Sequence, residues 1–123
     1  MSFNHVVVWI DHAQAHLIHF NPDASESEMI NLHSTHNAVH VASDKEGPAA
    51  HQYLEQVASA LAGAGEILVV GPGVEKLVLM KYLSKHQPAV ADHVVSVETV
   101  DHPTDGQLLA YARKYFVRAD RLL

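Results

Sequence analysis

The chain has 123 residues, 48% hydrophobic and 18% charged, which is the profile of one ordinary globular domain and excludes a disordered segment. Its formal net charge of −6 disfavours a general nucleic-acid binder, and the absence of cysteine excludes a disulfide scaffold, thiolate zinc sites and a cysteine nucleophile. No apolar run approaches the ~20 residues of a membrane span and no basic region precedes an apolar stretch at the start, so the expectation is a cytoplasmic protein without a signal peptide or membrane contact.

Val6-Val7-Val8-Trp9-Ile10 is a continuous apolar run rich in β-branched residues, the pattern of a strand buried on both faces. Asp11-His12-Ala13-Gln14 is turn-like, and a second strand over residues 15–20 follows closely enough for an antiparallel hairpin. Asn21-Pro22-Asp23 breaks that strand, and residues 28–32 read as a third, more exposed one. Residues 33–47 have no periodicity, which predicts an exposed loop more mobile than the sheet. Pro48 suits a first helical turn; Leu54, Val57, Ala58 and Leu61 follow at helical spacing, and Gly63 and Gly65 stop the helix.

Glu66-Ile67-Leu68-Val69-Val70 is a fourth strand, again continuously apolar after its first residue. Gly71-Pro72-Gly73 turns the chain into a second helix that runs to about Lys85 and is closed by His86-Gln87-Pro88. Residues 93–100 form a fifth strand. A last helix starts near Thr104, where Thr104 and Gln107 make a capping box, with Leu108, Leu109, Ala112 and Phe116 on its apolar face. The order β-β-β-α-β-α-β-α combines an antiparallel meander with two right-handed crossovers. It predicts an α/β fold with a mixed five-stranded sheet in the order 3-2-1-4-5, a ribonuclease-H-like topology in a single domain over residues 1–123.

Eleven histidines are present, eight of them in the first 51 residues. Residues 1–75 hold nine acidic side chains and one basic, for a net −8, whereas residues 76–123 hold seven basic and five acidic, for +2. Protons or a metal on the histidines would offset part of the acidic half.

His5-Val6-Val7-Val8-Trp9-Ile10-Asp11-His12, Glu66-Ile67-Leu68-Val69-Val70-Gly71-Pro72-Gly73 and Asp101-His102-Pro103-Thr104-Asp105-Gly106-Gln107-Leu108 together resemble small bacterial translational machinery proteins. These are stand-alone relatives of the central domain of archaeal-eukaryotic release factors and of Pelota. The likeness covers nearly the whole chain, and the strand–Gly-Pro-Gly–helix segment with Lys76 one turn into the helix is its widely shared part. Release factors carry a Gly-Gly-Gln tripeptide, for peptidyl-tRNA hydrolysis, in the loop before the first long helix. Here that place holds Lys45-Glu46-Gly47-Pro48, and Gly106-Gln107 is a lone pair at the last helix. The resemblance therefore implies a relative without peptide-release activity.

Open α/β sheets bind ligands at the carboxyl edge of their parallel strands. The predicted topology brings Asp11-His12, Gly71-Pro72-Gly73 with Lys76, and Asp101-His102 with Asp105 to that edge. Carboxylate and imidazole there suit a divalent metal, and amides at a helix start suit an anion. The plainer reading is that Asp11 ends a hairpin strand, Asp101 caps a helix and the glycines permit a turn. A two-metal nuclease could draw on Asp11, Glu55 and Asp101, but the end of the fourth strand supplies glycine where such a site needs an acid. His33, His36 and His40, with Asp44 after them, have spacings within reach of zinc or nickel, against the simpler reading of a solvated polar loop. His16 and His19 fall on opposite faces of one strand. No nucleophilic serine motif, P-loop or dinucleotide fingerprint is present.

Arg113, Lys114, Arg118 and Arg121 make a small basic stripe on the last helix, a candidate contact for ribosomal RNA or tRNA. Leu77-Val78-Leu79-Met80 surrounds the second helix with apolar residues, more than one sheet face requires, which suggests a homodimer contact. The leading expectation is a non-catalytic interaction protein associated with ribosome or tRNA. The alternative is a metal-dependent hydrolase or phosphoesterase using Asp11, His12, Asp101 and His102.

Overall fold

The computed structural model describes residues 3–32 and 48–119. Its elements are β1 (His5–Ile10), β2 (Gln14–Phe20), β3 (Ser25–Asn31), α1 (Pro48–Leu61), β4 (Glu66–Gly71), α2 (Glu75–His86), the short α3 (Pro88–Ala91), β5 (Val94–Thr99) and α4 (Asp105–Ala119). The strands form one sheet in the order β3-β2-β1-β4-β5, as the crossover argument predicts. β1 pairs antiparallel with β2 and parallel with β4, and β5 is parallel to β4.

The continuous apolar runs go to the centre because only central strands have two covered faces. Val6, Val8, Ile10, Ile67 and Val69 point into a core shared with α1, α2 and α3, whereas Val7, Trp9, Leu68 and Val70 point into a second core under α4. Leu54, Val57, Ala58 and Leu61, the stripe read on α1, are all buried. Each buried Val, Leu or Ile among them contributes about 1.5–3 kcal/mol of burial free energy, so the two cores hold the layers together.

The differences lie at the edges. β3 begins at Ser25, three residues before the predicted 28–32 segment, because it is an outer strand held by its backbone ladder to β2 while Ser25 through Met29 remain exposed. α3 was not expected, since a four-residue helix carries no periodic signal. α2 ends at His86, and Gly71 completes β4. The capping box at α4 forms as read: Thr104 N–H donates to Gln107 Oε1 (2.9 Å) and Gln107 N–H to Thr104 Oγ1 (3.1 Å). His33, His36, His40 and Arg121 lie outside the described residues.

Candidate functional site

β1, β4 and β5 end at a common edge, and the three segments expected there do follow those strands. The fold divides their side chains between its two faces.

On the face of α1 and α2, Asp11 folds back on the hairpin: its Oδ1 accepts the amides of Ala13 (2.8 Å) and Gln14 (2.9 Å). Its carbonyl accepts the buried Tyr53 hydroxyl at 2.9 Å. Burial first, then the Asp11 and Glu75 carboxylates, push the Tyr53 phenol far above its ordinary value. His12 is exposed. A Cβ on Gly71 would stand 2.3 Å from the Ile10 carbonyl oxygen, so glycine here lets β1 and β4 approach. Gly73 is exposed. Lys76 is the second residue of α2 rather than a turn inside it, and it is buried, with its Nζ donating to the Gly73 carbonyl. That bond ties the first turn of α2 to the preceding glycine turn, and α2 has no side-chain cap.

On the α4 face, Trp9 Nε1 donates to the Asp101 carbonyl and fixes the segment after β5 against β1. The indole stands between two imidazoles, with ring centroids 5.7 Å from His16 and 5.0 Å from His102. Each imidazole has a carboxylate on Nδ1: Asp105 Oδ1 lies 3.3 Å from His16, and Asp101 Oδ1 lies 3.0 Å from His102. A carboxylate there favours the tautomer with the proton on Nδ1 and leaves the lone pair on Nε2. Trp9, His16, His102 and Asp105 line a cleft of about 110 Å³. It adjoins a second of about 240 Å³, bounded by His16, Ser27, Met29 and Asp105. A broader groove of about 640 Å³ between β3 and α1 is lined by Glu28, Gln52, Glu55, Gln56 and Ser59.

Asp101, His102 and Asp105 are thus brought together, whereas Asp11, Gly71, Gly73 and Lys76 lie across the sheet from them. Of the hydrolase alternative's residues, Asp11 is separated in this way from Asp101 and His102, and His12 is exposed. Among the described residues, no three His, Asp or Glu side chains converge so as to hold a metal ion. Sequence reasoning missed Trp9 and His16 as site residues; the hairpin register, which sets Trp9 opposite His16, was the available signal.

Within the basic stripe, Arg113 is committed to structure. Its Nε and Nη2 donate to the Asn21 carbonyl (3.2 and 3.0 Å), and Nη2 also reaches the Ala24 carbonyl (3.2 Å), so it ties α4 to the β2–β3 turn. Lys114 and Arg118 are exposed. On α2, Leu77 and Val78 are exposed and Leu79 is buried, so two residues of the apolar run read there face outward.

Comparison with solved structures follows the same topology. An Archaeoglobus fulgidus Pelota aligns over 97% of this chain and 32% of its own, with TM-score 0.60 and 17% identity. The archaeal translation termination factor aRF1 aligns over 82% and 31%, with TM-score 0.60 and 13% identity. The chain carries a Pelota-like fold. Dom34 of S. cerevisiae, described as a translation termination-like factor involved in RNA quality control pathways and interacting with Hbs1, aligns over 94% and 34%, with TM-score 0.61 and 10% identity. The chain therefore spans about a third of the length of these proteins. No protein-family model matches the sequence, and a search of curated proteins gives no match. Among the described residues no helix is long and apolar enough to cross a membrane.

Proposed function

We propose that this protein is a non-catalytic interaction protein of the translation apparatus, docking on the ribosome or on tRNA without hydrolysing peptidyl-tRNA. The observation that carries this reading is the fold, matched over most of the chain by proteins named as translation termination factors or as resembling them. The absence of Gly-Gly-Gln before α1, where Lys45-Glu46-Gly47-Pro48 stands, supports the non-hydrolytic part. With a net charge of −6, contact with RNA is local, and the exposed Lys114 and Arg118 of α4 are the cations offered for it.

Co-sedimentation with ribosomes at low and moderate salt tests the proposal. The expected result is pelleting at low salt that weakens at moderate salt, with a further loss in a Lys114→Glu/Arg118→Glu variant. A chain that remains in the supernatant at both salt concentrations removes the link to translation.

A further inference from the structure

Three rings outside the clefts meet on the far side of the sheet. His51 lies in the first turns of α1, and Tyr82 and His86 lie one helical turn apart at the end of α2. Ring centroids are 5.3 Å apart for His51 and Tyr82, 5.4 Å for His51 and His86, and 4.6 Å for Tyr82 and His86. Both imidazoles are exposed, while Tyr82 is half-buried against them.

The separation of the two imidazoles is informative. A metal about 2.0–2.1 Å from a coordinating nitrogen lies about 3.2 Å from that ring's centroid. Two imidazoles meeting at one tetrahedral ion therefore have centroids about 5.2 Å apart. His51 and His86 stand 5.4 Å apart, close to that spacing. They come from different helices, and Tyr82 contacts both rings, so the pair is positioned by packing rather than by one flexible segment.

We propose that His51 and His86 form a two-imidazole site for a divalent transition metal of the zinc class, joining α1 to α2, with water at the remaining positions. Tyr82 is a positioning residue and not a ligand: its ring packs against both imidazoles and holds them in place. Glu55 follows His51 by one turn on α1 and gives this patch a negative charge that favours a cation. The site does not rest on the proposed role in translation.

The test is a zinc chloride titration of the full chain at pH 7.5 by calorimetry, in a His33→Gln/His36→Gln/His40→Gln background that removes the other histidine cluster. We expect one equivalent of zinc to bind there, and His86→Gln or His51→Gln added to that background to weaken it at least about tenfold. Both histidines are exposed, so the metal-free variants should melt like their parent. A zinc-induced rise in Tm seen in the background variant should shrink with His86→Gln, because a metal held by the folded pair binds the native state in preference to the unfolded chain. Loss of all zinc binding in the background variant, or binding that neither His51→Gln nor His86→Gln changes, overturns the proposal.

Discussion

Beneath α1, α2 and α3 the buried surface is mostly aliphatic, running from Val6, Val8 and Ile10 to Leu79 and Leu83. Beneath α4 it is rich in rings, with His5, Phe20 and Phe116 packed at one end and Trp9 between His16 and His102 at the other. Polar groups follow the same division. On the first face Tyr53 and Lys76 are satisfied by backbone carbonyls close to the turns that they brace. On the second, side chains pair with one another: His5 with Glu66, His16 with Asp105, His102 with Asp101. Aliphatic packing is non-directional and fills space, whereas rings and ion pairs impose geometry and leave clefts between them. The interior beneath three helices thus serves as scaffold, with the His51–His86 pair on its outer surface, whereas the face covered by one helix carries its polar groups in clefts beside the sheet edge.

The sharpest break in this comparison should come from the scaffold. Leu83→Ala removes a fully buried side chain from α2 and should destabilise the chain by about 3–4 kcal/mol in urea unfolding. Trp9→Phe keeps a ring on the other face but removes the bond to the Asp101 carbonyl; a loss of about 2 kcal/mol is expected, with faster amide exchange around residues 101–103.

Tyr53→Phe should be milder, about 1 kcal/mol at neutral pH, because one hydrogen bond is lost from a core that keeps its shape. Its clearer signature is alkaline. The folded chain holds the phenol above its ordinary value of 10.0, so the stabilisation is complete below that pH and is lost above it, where the unfolded chain ionises and the folded chain does not. Unfolding of parent and Tyr53→Phe between about pH 9 and 11 should show the parent falling more steeply, by up to about 1.4 kcal/mol per pH unit. Equal slopes would detach Tyr53 from the alkaline response. The smallest effect should be Thr104→Ala, which opens the α4 capping box for about 0.5–1 kcal/mol and loosens the Asp105 side of the His16 pair, measurable by thermal melting.

The strand order was legible because residues 6–10 and 66–70 have apolar runs that only central strands can bury, and because a short hairpin and two crossovers leave few arrangements. The start of β3 was not, since Ser25-Glu26-Ser27 belongs to an exposed outer strand whose backbone pairing leaves no trace in polarity. For the candidate site, topology correctly gathered Asp11, Gly71 and Asp101 at one sheet edge. The plainer reading of Asp11, as the end of a hairpin strand, agrees with the use of its carboxylate by its own turn, whereas no sequence signal announced that Lys76 bends to Gly73. The bonds from Trp9 to Asp101 and from Arg113 to Asn21 each join residues 92 positions apart, a separation at which no local pattern reports contact. Tyr82 and His86 share α2, whereas His51 comes from α1, a pairing that no spacing along the chain reports.

The hold of Arg113 on the carbonyls of Asn21 and Ala24 has a consequence for the order in which the molecule is assembled. β1 and β2 are synthesised early, yet Val7, Ile18 and Phe20 are covered by Leu108, Ala112 and Phe116, which emerge some ninety residues later. The hairpin must therefore wait with one oily side open until the final helix arrives, and such late closure slows folding and exposes a nascent chain to aggregation. A polypeptide stopped before residue 105 should form the three-helix side of the sheet and stick to chaperones through the other.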